Sequence, residues 1–99
     1  MLLPLEIRKL QNYLATQPVK KAFVFGSVAR NEETSVSDID LLVELDRHAK
    51  IGLVKFASLK YGLERILNKK VDLLAEGGVS KFLIPTIERE KKLIYEKRA

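Results

Sequence analysis

Residues 21–45, KAFVFGSVARNEETSVSDIDLLVEL, decide how this chain folds. The short apolar segment 21–25 stops at a glycine and predicts a β-strand. Residues 27–30 are expected to form one helical turn, and the polar residues 31–37 a surface loop. A second strand is expected over 38–45, because its apolar run is interrupted only by acidic residues, as in strands buried on both faces.

Apolar residues at helical spacing lie on both sides of this stretch. Upstream, one helix face is marked by Leu3, Ile7, Leu10 and Leu14, and the helix ends before Pro18. Downstream, a longer amphipathic helix is marked by Leu53, Phe56, Ala57, Leu63 and Leu67. The two strands are therefore expected to have helices to pack against.

The remaining third of the chain predicts one more strand, one more helix and a short last element. The third strand covers 70–75 and is broken by two glycines. Ser80 can cap a helix over about 81–90, in which Pro85 is tolerated only in the first turn. Residues 93–95 suit either a last helical turn or a short edge strand, and we favour the strand.

The expected fold is α/β, in an α+β two-layer arrangement. A small mixed β-sheet of three to four strands is flanked by helices. The chain has 99 residues, of which 46% are hydrophobic and 31% charged, which is typical of a single globular domain over 1–99.

Composition also narrows the class of function. The chain has no cysteine, which excludes disulfides and thiolate metal sites and favours a cytoplasmic location. No apolar stretch approaches the ~20 residues of a membrane-spanning helix. The net charge of +5 could attract nucleic acid, but the lysines are spread along the chain among glutamates, which favours a solvated surface.

Asp38 and Asp40 carry the first chemical signal. They are one residue apart on a predicted strand, so both carboxylates project from the same face, while Ile39 and Leu41 point into the core. Two such carboxylates repel each other unless a cation lies between them, and hard oxygen ligands suit Mg²⁺ or Mn²⁺. The alternative is a pair of solvated acids at a strand end.

Gly26 and Ser27 stand where the first strand turns into the predicted helical turn. Glycine lets an anion approach the backbone, and the free N–H groups of the following turn can bind phosphate. Arg30, one turn on, can direct its guanidinium at the same anion. A tight turn is the alternative for the Gly-Ser pair alone, but its position beside the two carboxylates favours a phosphate site facing a metal site.

A third carboxylate is expected, because two-metal phosphoryl transfer needs an anchor near the attacking oxygen. Asp72 is the candidate, since an acid inside an apolar strand is costly without a partner. The alternative is a charge on an edge strand. Glu44 and Asp46 are weaker candidates for which a solvated role is favoured, and His48 is expected to be a plain surface residue.

These residues resemble the nucleotidyltransferase superfamily that includes polymerase β. The resemblance rests on GSVAR at 26–30 followed by SDIDLLV at 37–43, and the short chain resembles the superfamily's minimal branch, the MNT proteins. The resemblance implies a polymerase-β-like nucleotidyltransferase fold. The sequence departs from the family pattern at one position. The family's arginine is often followed by glycine, whereas here Arg30 is followed by Asn31.

The resemblance also implies roles for the candidate residues. Gly26 and Ser27 would hold the terminal phosphates of ATP, with Arg30 beside them. Two Mg²⁺ ions would be held by Asp38, Asp40 and Asp72, and Asp72 would help to deprotonate the acceptor hydroxyl. MNT proteins are usually encoded beside a HEPN-domain toxin, and the implied reaction adenylylates a tyrosine of that toxin.

Two other functions stay open at this stage. An MNT protein could neutralise its HEPN partner by docking alone, since so small a chain leaves little protein to enclose the nucleotide base. A nucleotidyltransferase acting on nucleic acid is the other alternative, suggested by the positive charge. Self-association or partner binding is also expected, because a small sheet with an exposed edge and several apolar helix faces leaves surface to cover.

Overall fold

The computed structural model describes residues 2–26, 38–46 and 48–97. Along these residues the elements are, in order, helix α1 (Pro4–Leu14), strands β1 (Val19–Phe25) and β2 (Ile39–Leu45), helix α2 (Leu53–Leu67), strand β3 (Val71–Ala75), helix α3 (Ile84–Glu90) and strand β4 (Lys92–Glu96). The predicted turn at 27–30 and loop at 31–37 lie outside the described residues. The predicted last strand is confirmed by β4.

The strands form one mixed sheet in the order β3-β2-β1-β4. Strand β1 is antiparallel to both β2 and β4, while β2 and β3 are parallel and are connected through α2. A parallel pair needs such a crossover, because its strands cannot be joined by a tight turn. The predicted α/β arrangement, a small mixed sheet flanked by helices, is confirmed.

One face of the sheet is closed by α1 and α2. Alternate residues of β2 point into this core, where Ile39, Leu41 and Val43 are each no more than 2% exposed. The helices contribute the fully or almost fully buried side chains Leu10, Leu14, Leu59, Leu63 and Leu67. This face holds the main hydrophobic core of the described residues.

Two predicted helix faces differ from the structure at their first turns. Leu3 is 59% exposed because it precedes Pro4 in extended conformation, and Leu2 is buried instead. On α2, Leu53 is 89% exposed and full burial begins only at Leu59. The helical spacing was therefore sufficient to predict each helix but not the depth at which its first turn lies.

Helix α3 begins at Ile84, three residues later than predicted. The Leu83 N–H donates to the Ser80 carbonyl at 2.9 Å, and the Phe82 N–H donates to Ser80 Oγ at 3.3 Å, so Ser80 caps a separate turn. Pro85 explains the shift, because it has no N–H for the carbonyl one turn earlier. As predicted, Pro85 lies in the first turn of the helix.

Candidate active site

Asp40 and Asp72 face the same space from two neighbouring strands. They are register partners in the parallel pairing of β2 with β3. Paired residues on adjacent strands lie about 4.8 Å apart and present their side chains to the same side of the sheet. The structure thus brings together two of the three predicted acids, from parts of the sequence 32 residues apart (72 minus 40).

Asp38 lies immediately before β2 and is exposed to solvent. The burial of Ile39 and Leu41 on the closed face confirms the predicted alternation along β2. Asp40 therefore projects from the open face, the side of the sheet opposite α1 and α2. Asp38, two residues before Asp40, directly precedes the first residue of β2.

Gly26 gives the Asp40 carboxylate the room it needs. Phe25 pairs with Asp40 across β1 and β2, so the next residue, Gly26, lies beside the start of β2. A Cβ atom built on Gly26 would overlap Asp40 Oδ2. The φ of Gly26 is +73°, a left-handed conformation that favours glycine. The conformation of Gly26 therefore favours glycine at this corner, and a larger residue would have to displace the Asp40 carboxylate.

Two hydrogen bonds fix the carboxylate-bearing strands at their first residues. The Val71 N–H donates to Glu64 Oε2 of α2 at 2.9 Å. The Ile39 N–H donates to the Lys70 carbonyl at 2.9 Å. These bonds hold the start of β3 against both α2 and β2, directly before Asp72. Sequence reasoning missed Glu64, because nothing in its spacing distinguishes it from other acids on the exposed side of a helix.

Asp72 lies on an edge strand and is exposed. Because Asp72 is exposed, its charge needs no partner to offset burial. The argument from the sequence, that an acid inside this strand is costly without a partner, therefore does not apply. Its pairing with Asp40 is the reason to keep it in the candidate site. Ser27 and Arg30 lie outside the described residues.

The two weaker acidic candidates, Glu44 and Asp46, each interact with a lysine. Glu44 lies 3.8 Å from Lys20 Nζ, and the Lys97 ammonium donates to Asp46 Oδ2 at 2.6 Å. His48 is exposed. These observations agree with the solvated roles expected for all three.

The donor set of the candidate site suits a hard divalent cation. Carboxylate oxygens are the ligands that Mg²⁺ prefers, and a protein commonly supplies one or two of them while substrate phosphates supply others. Across 2–26, 38–46 and 48–97, no three acidic, histidine or cysteine side chains converge on one point. The described residues thus fit a metal completed by a nucleotide better than a preformed all-protein cage.

None of the described helices combines the length and the apolar character needed to cross a bilayer.

Comparison with known sequences places the chain in a family. The nucleotidyltransferase domain matches residues 7–97. A protein of Methanocaldococcus jannaschii, provisionally named a protein adenylyltransferase, is 41% identical over 84% of this chain and 87% of its own length. The protein adenylyltransferase MntA of Thermococcus cleftensis is 35% identical over 73% of this chain and 71% of its own length.

Solved structures share the fold. One, provisionally named a minimal nucleotidyltransferase, has a TM-score of 0.75 at 33% identity and covers 89% of this chain and 88% of its own. Another, the complex of a tri-AMPylated Shewanella oneidensis HEPN toxin with an MNT antitoxin, has a TM-score of 0.69 at 19% identity, covering 94% and 71%. The polymerase-β-like fold is confirmed, and the chain belongs to the nucleotidyltransferase-domain family, whose members include protein adenylyltransferases.

Proposed function

We propose that this chain is a Mg²⁺-dependent protein adenylyltransferase that transfers AMP from ATP to a tyrosine of a HEPN-domain toxin, and so acts as its antitoxin. Relatives named protein adenylyltransferases support the reaction, and the fold shared with an MNT antitoxin bound to an AMPylated HEPN toxin supports the partner. The observation that carries the proposal is the pairing of Asp40 with Asp72 beside Gly26. ATP supply makes the cytoplasm the expected location.

The residues divide the work by position. Gly26 and Ser27 would bind the terminal phosphates, with Arg30 neutralising their charge. Asp38, Asp40 and Asp72 would hold two Mg²⁺ ions, or Mn²⁺ in their place. When bound, the ions would stabilise the negative charge on the attacking and leaving oxygens.

The proposed step is an in-line displacement at the α-phosphorus of ATP. The phenol oxygen forms a bond to phosphorus, the bond to the pyrophosphate oxygen breaks, and pyrophosphate leaves with that electron pair. The phenol proton passes to the Asp72 carboxylate, which shares the open face with Asp40. The products are the adenylylated tyrosine and pyrophosphate.

The test is transfer of label from ATP to a cognate HEPN-domain protein in the presence of Mg²⁺. Label on the α-phosphate is expected on the toxin, while label on the γ-phosphate is expected to leave with pyrophosphate. Asp38→Asn with Asp40→Asn should abolish transfer. Glu44→Gln, on the same strand but paired with Lys20, is the matched control and should transfer normally. Transfer that survives the double substitution would place the site elsewhere.

Docking without catalysis remains the competing function. It is favoured by the small size of the chain, since 99 residues leave little protein to enclose the nucleotide base. A cell-protection assay separates the two functions, because a docking antitoxin should protect at normal expression even with both aspartates replaced. Loss of protection in that variant, at unchanged binding to the toxin, is expected if catalysis is the mechanism.

A further inference from the structure

A cleft on the open face of the sheet is not used by the residues assigned above. Its volume is about 270 Å³. The apolar side chains that line it are Leu42, Val79, Ile84 and Ile87. Leu42 and Ile87 are almost fully buried, at 4% and 3% exposure, while Ile84 is 45% exposed. The cleft therefore has a firm apolar floor and an accessible wall.

The cleft lies next to the two carboxylates, further along the strands on the same face of the sheet. Leu42 comes two residues after Asp40 on β2 and projects from the same face, about 7 Å further along the strand. Gly26 lies on the other side of Asp40, beside the start of β2, because Phe25 pairs with Asp40. The order along the open face is thus the Gly26 corner, the pair of carboxylates, and then the cleft.

The geometry of in-line displacement determines from which side of the carboxylates the acceptor approaches. The attacking oxygen must approach phosphorus opposite to the leaving oxygen. With the pyrophosphate held at the Gly26 corner, the acceptor comes from the direction of Leu42. We infer that the cleft binds the aromatic ring of the acceptor tyrosine, an inference that rests on the proposed function.

The chemistry of the cleft agrees with this occupant. Its rim carries the carboxylates of Glu76 and Glu88 and one cation, Lys81. Glu88 is paired with Lys91 at 3.0 Å, and the described residues provide no such pair for Glu76. With Lys91 counted, the charges at the rim balance, and the apolar floor suits the burial of an uncharged phenol ring better than that of charged phosphates.

The direct test is an NMR titration of the full chain with N-acetyltyrosinamide in the presence of Mg²⁺ and AMP-PNP. Saturable shifts are expected for the backbone amides of Val79, Ile84 and Ile87. AMP-PNP with Mg²⁺ alone should shift Gly26, Asp38 and Asp40 and leave the cleft unmoved. Nucleotide-induced shifts centred on the cleft would show that it holds the base, and shifts by the tyrosine probe elsewhere would also overturn the inference.

A substitution that fills the cleft gives an independent readout. Val79→Trp should lower transfer to the HEPN-domain protein by about 100-fold, the order of loss when an acceptor is displaced by about 1 Å. The affinity for AMP-PNP should stay unchanged. Val54→Trp is the matched control, because Val54 is 86% exposed on α2, and it should transfer normally.

The outcomes separate this inference from the proposed function. If the unmodified chain transfers AMP and Val79→Trp transfers as well as the control, the cleft is not the acceptor site. If Val79→Trp loses nucleotide affinity together with transfer, the cleft belongs to the nucleotide. If the unmodified chain transfers no AMP to the HEPN-domain protein, the proposed function fails and this inference fails with it.

Discussion

The two faces of the sheet carry different kinds of side chain. The closed face buries Leu41 and Val43 under two helices whose inward-facing leucines, such as Leu10 and Leu63, are fully buried. The open face carries Asp40 and Asp72, with only the seven residues of α3 near its cleft. Because side chains alternate along each strand, one strand can hold the core together with one set of residues and present carboxylates with the other. Stability and chemistry should therefore respond to different substitutions.

The largest expected effect is on the open face. Asp40→Asn should reduce AMP transfer about a thousandfold, the order of loss when a group that stabilises transition-state charge is removed. The free energy of unfolding should change by no more than about 1 kcal/mol, because the substitution preserves shape and the core lies on the other side. Label transfer and urea unfolding measure the two effects. A large loss of stability with unchanged transfer per folded molecule would reverse the assignment of the faces.

The complementary substitution is on the closed face. Leu63 is fully buried, so Leu63→Ala should lower the free energy of unfolding by about 2–5 kcal/mol through lost burial and a cavity. Under conditions where the protein stays folded, transfer should be close to normal. Val54→Ala, at an exposed position of the same helix, should leave the urea midpoint almost unchanged. Equal midpoints for the two variants would contradict the assignment of the core to this face.

Gly26 tests the point where β1 meets the open face. Gly26→Ala should cost about 1–2 kcal/mol of stability because of its left-handed backbone, and it should also push the Asp40 carboxylate aside. Gly77→Ala shares the positive φ but meets nothing within 4 Å. Both variants should lose stability, but only Gly26→Ala should bind AMP-PNP with Mg²⁺ more weakly in calorimetry. Equal affinities would separate Gly26 from the nucleotide site.

The smallest expected effect concerns Tyr13 on the closed side. Burial raises the pKa of its phenol above the ordinary value of 10.0. The unfolded chain therefore loses this proton first, and the stability contributed by the neutral phenol is lost as the pH rises from 10 through the folded-state pKa. Tyr13→Phe should remove that part of the alkaline loss in thermal unfolding. An identical alkaline profile for both proteins would show that Tyr13 is not its source.

Local patterns predicted most of the fold. Alternation along 38–45 and helical spacing in α1 and α2 were sufficient, because they reflect which side of each element is buried. The start of α3 could not be placed as well, since it depends on a separate turn capped by Ser80. The exposure of Leu53 could not be predicted from the sequence either, because it depends on how far the sheet extends beneath α2.

The candidate site was predictable in part for a similar reason. Gly26, Asp38 and Asp40 lie close in sequence to a single corner, so their spacing carries the signal. The pairing of Asp72 with Asp40 and the bond from Val71 to Glu64 are tertiary, and only the register of β3 reveals them. The roles of Ser27 and Arg30 stay predictions, since both lie outside the described residues.

The most direct test of the central claim is paramagnetic broadening of the amide signals by Mn²⁺ in the presence of AMP-PNP. A metal–nucleotide site on the open face predicts saturable, nucleotide-dependent broadening centred on Gly26, Asp38, Asp40 and Asp72, and its loss in Asp40→Asn. The amides of Leu10 and Leu63, within the helices of the closed face, should be broadened least. Broadening centred on the helices, or unchanged by Asp40→Asn, would contradict the assignment of the site to this face of the sheet.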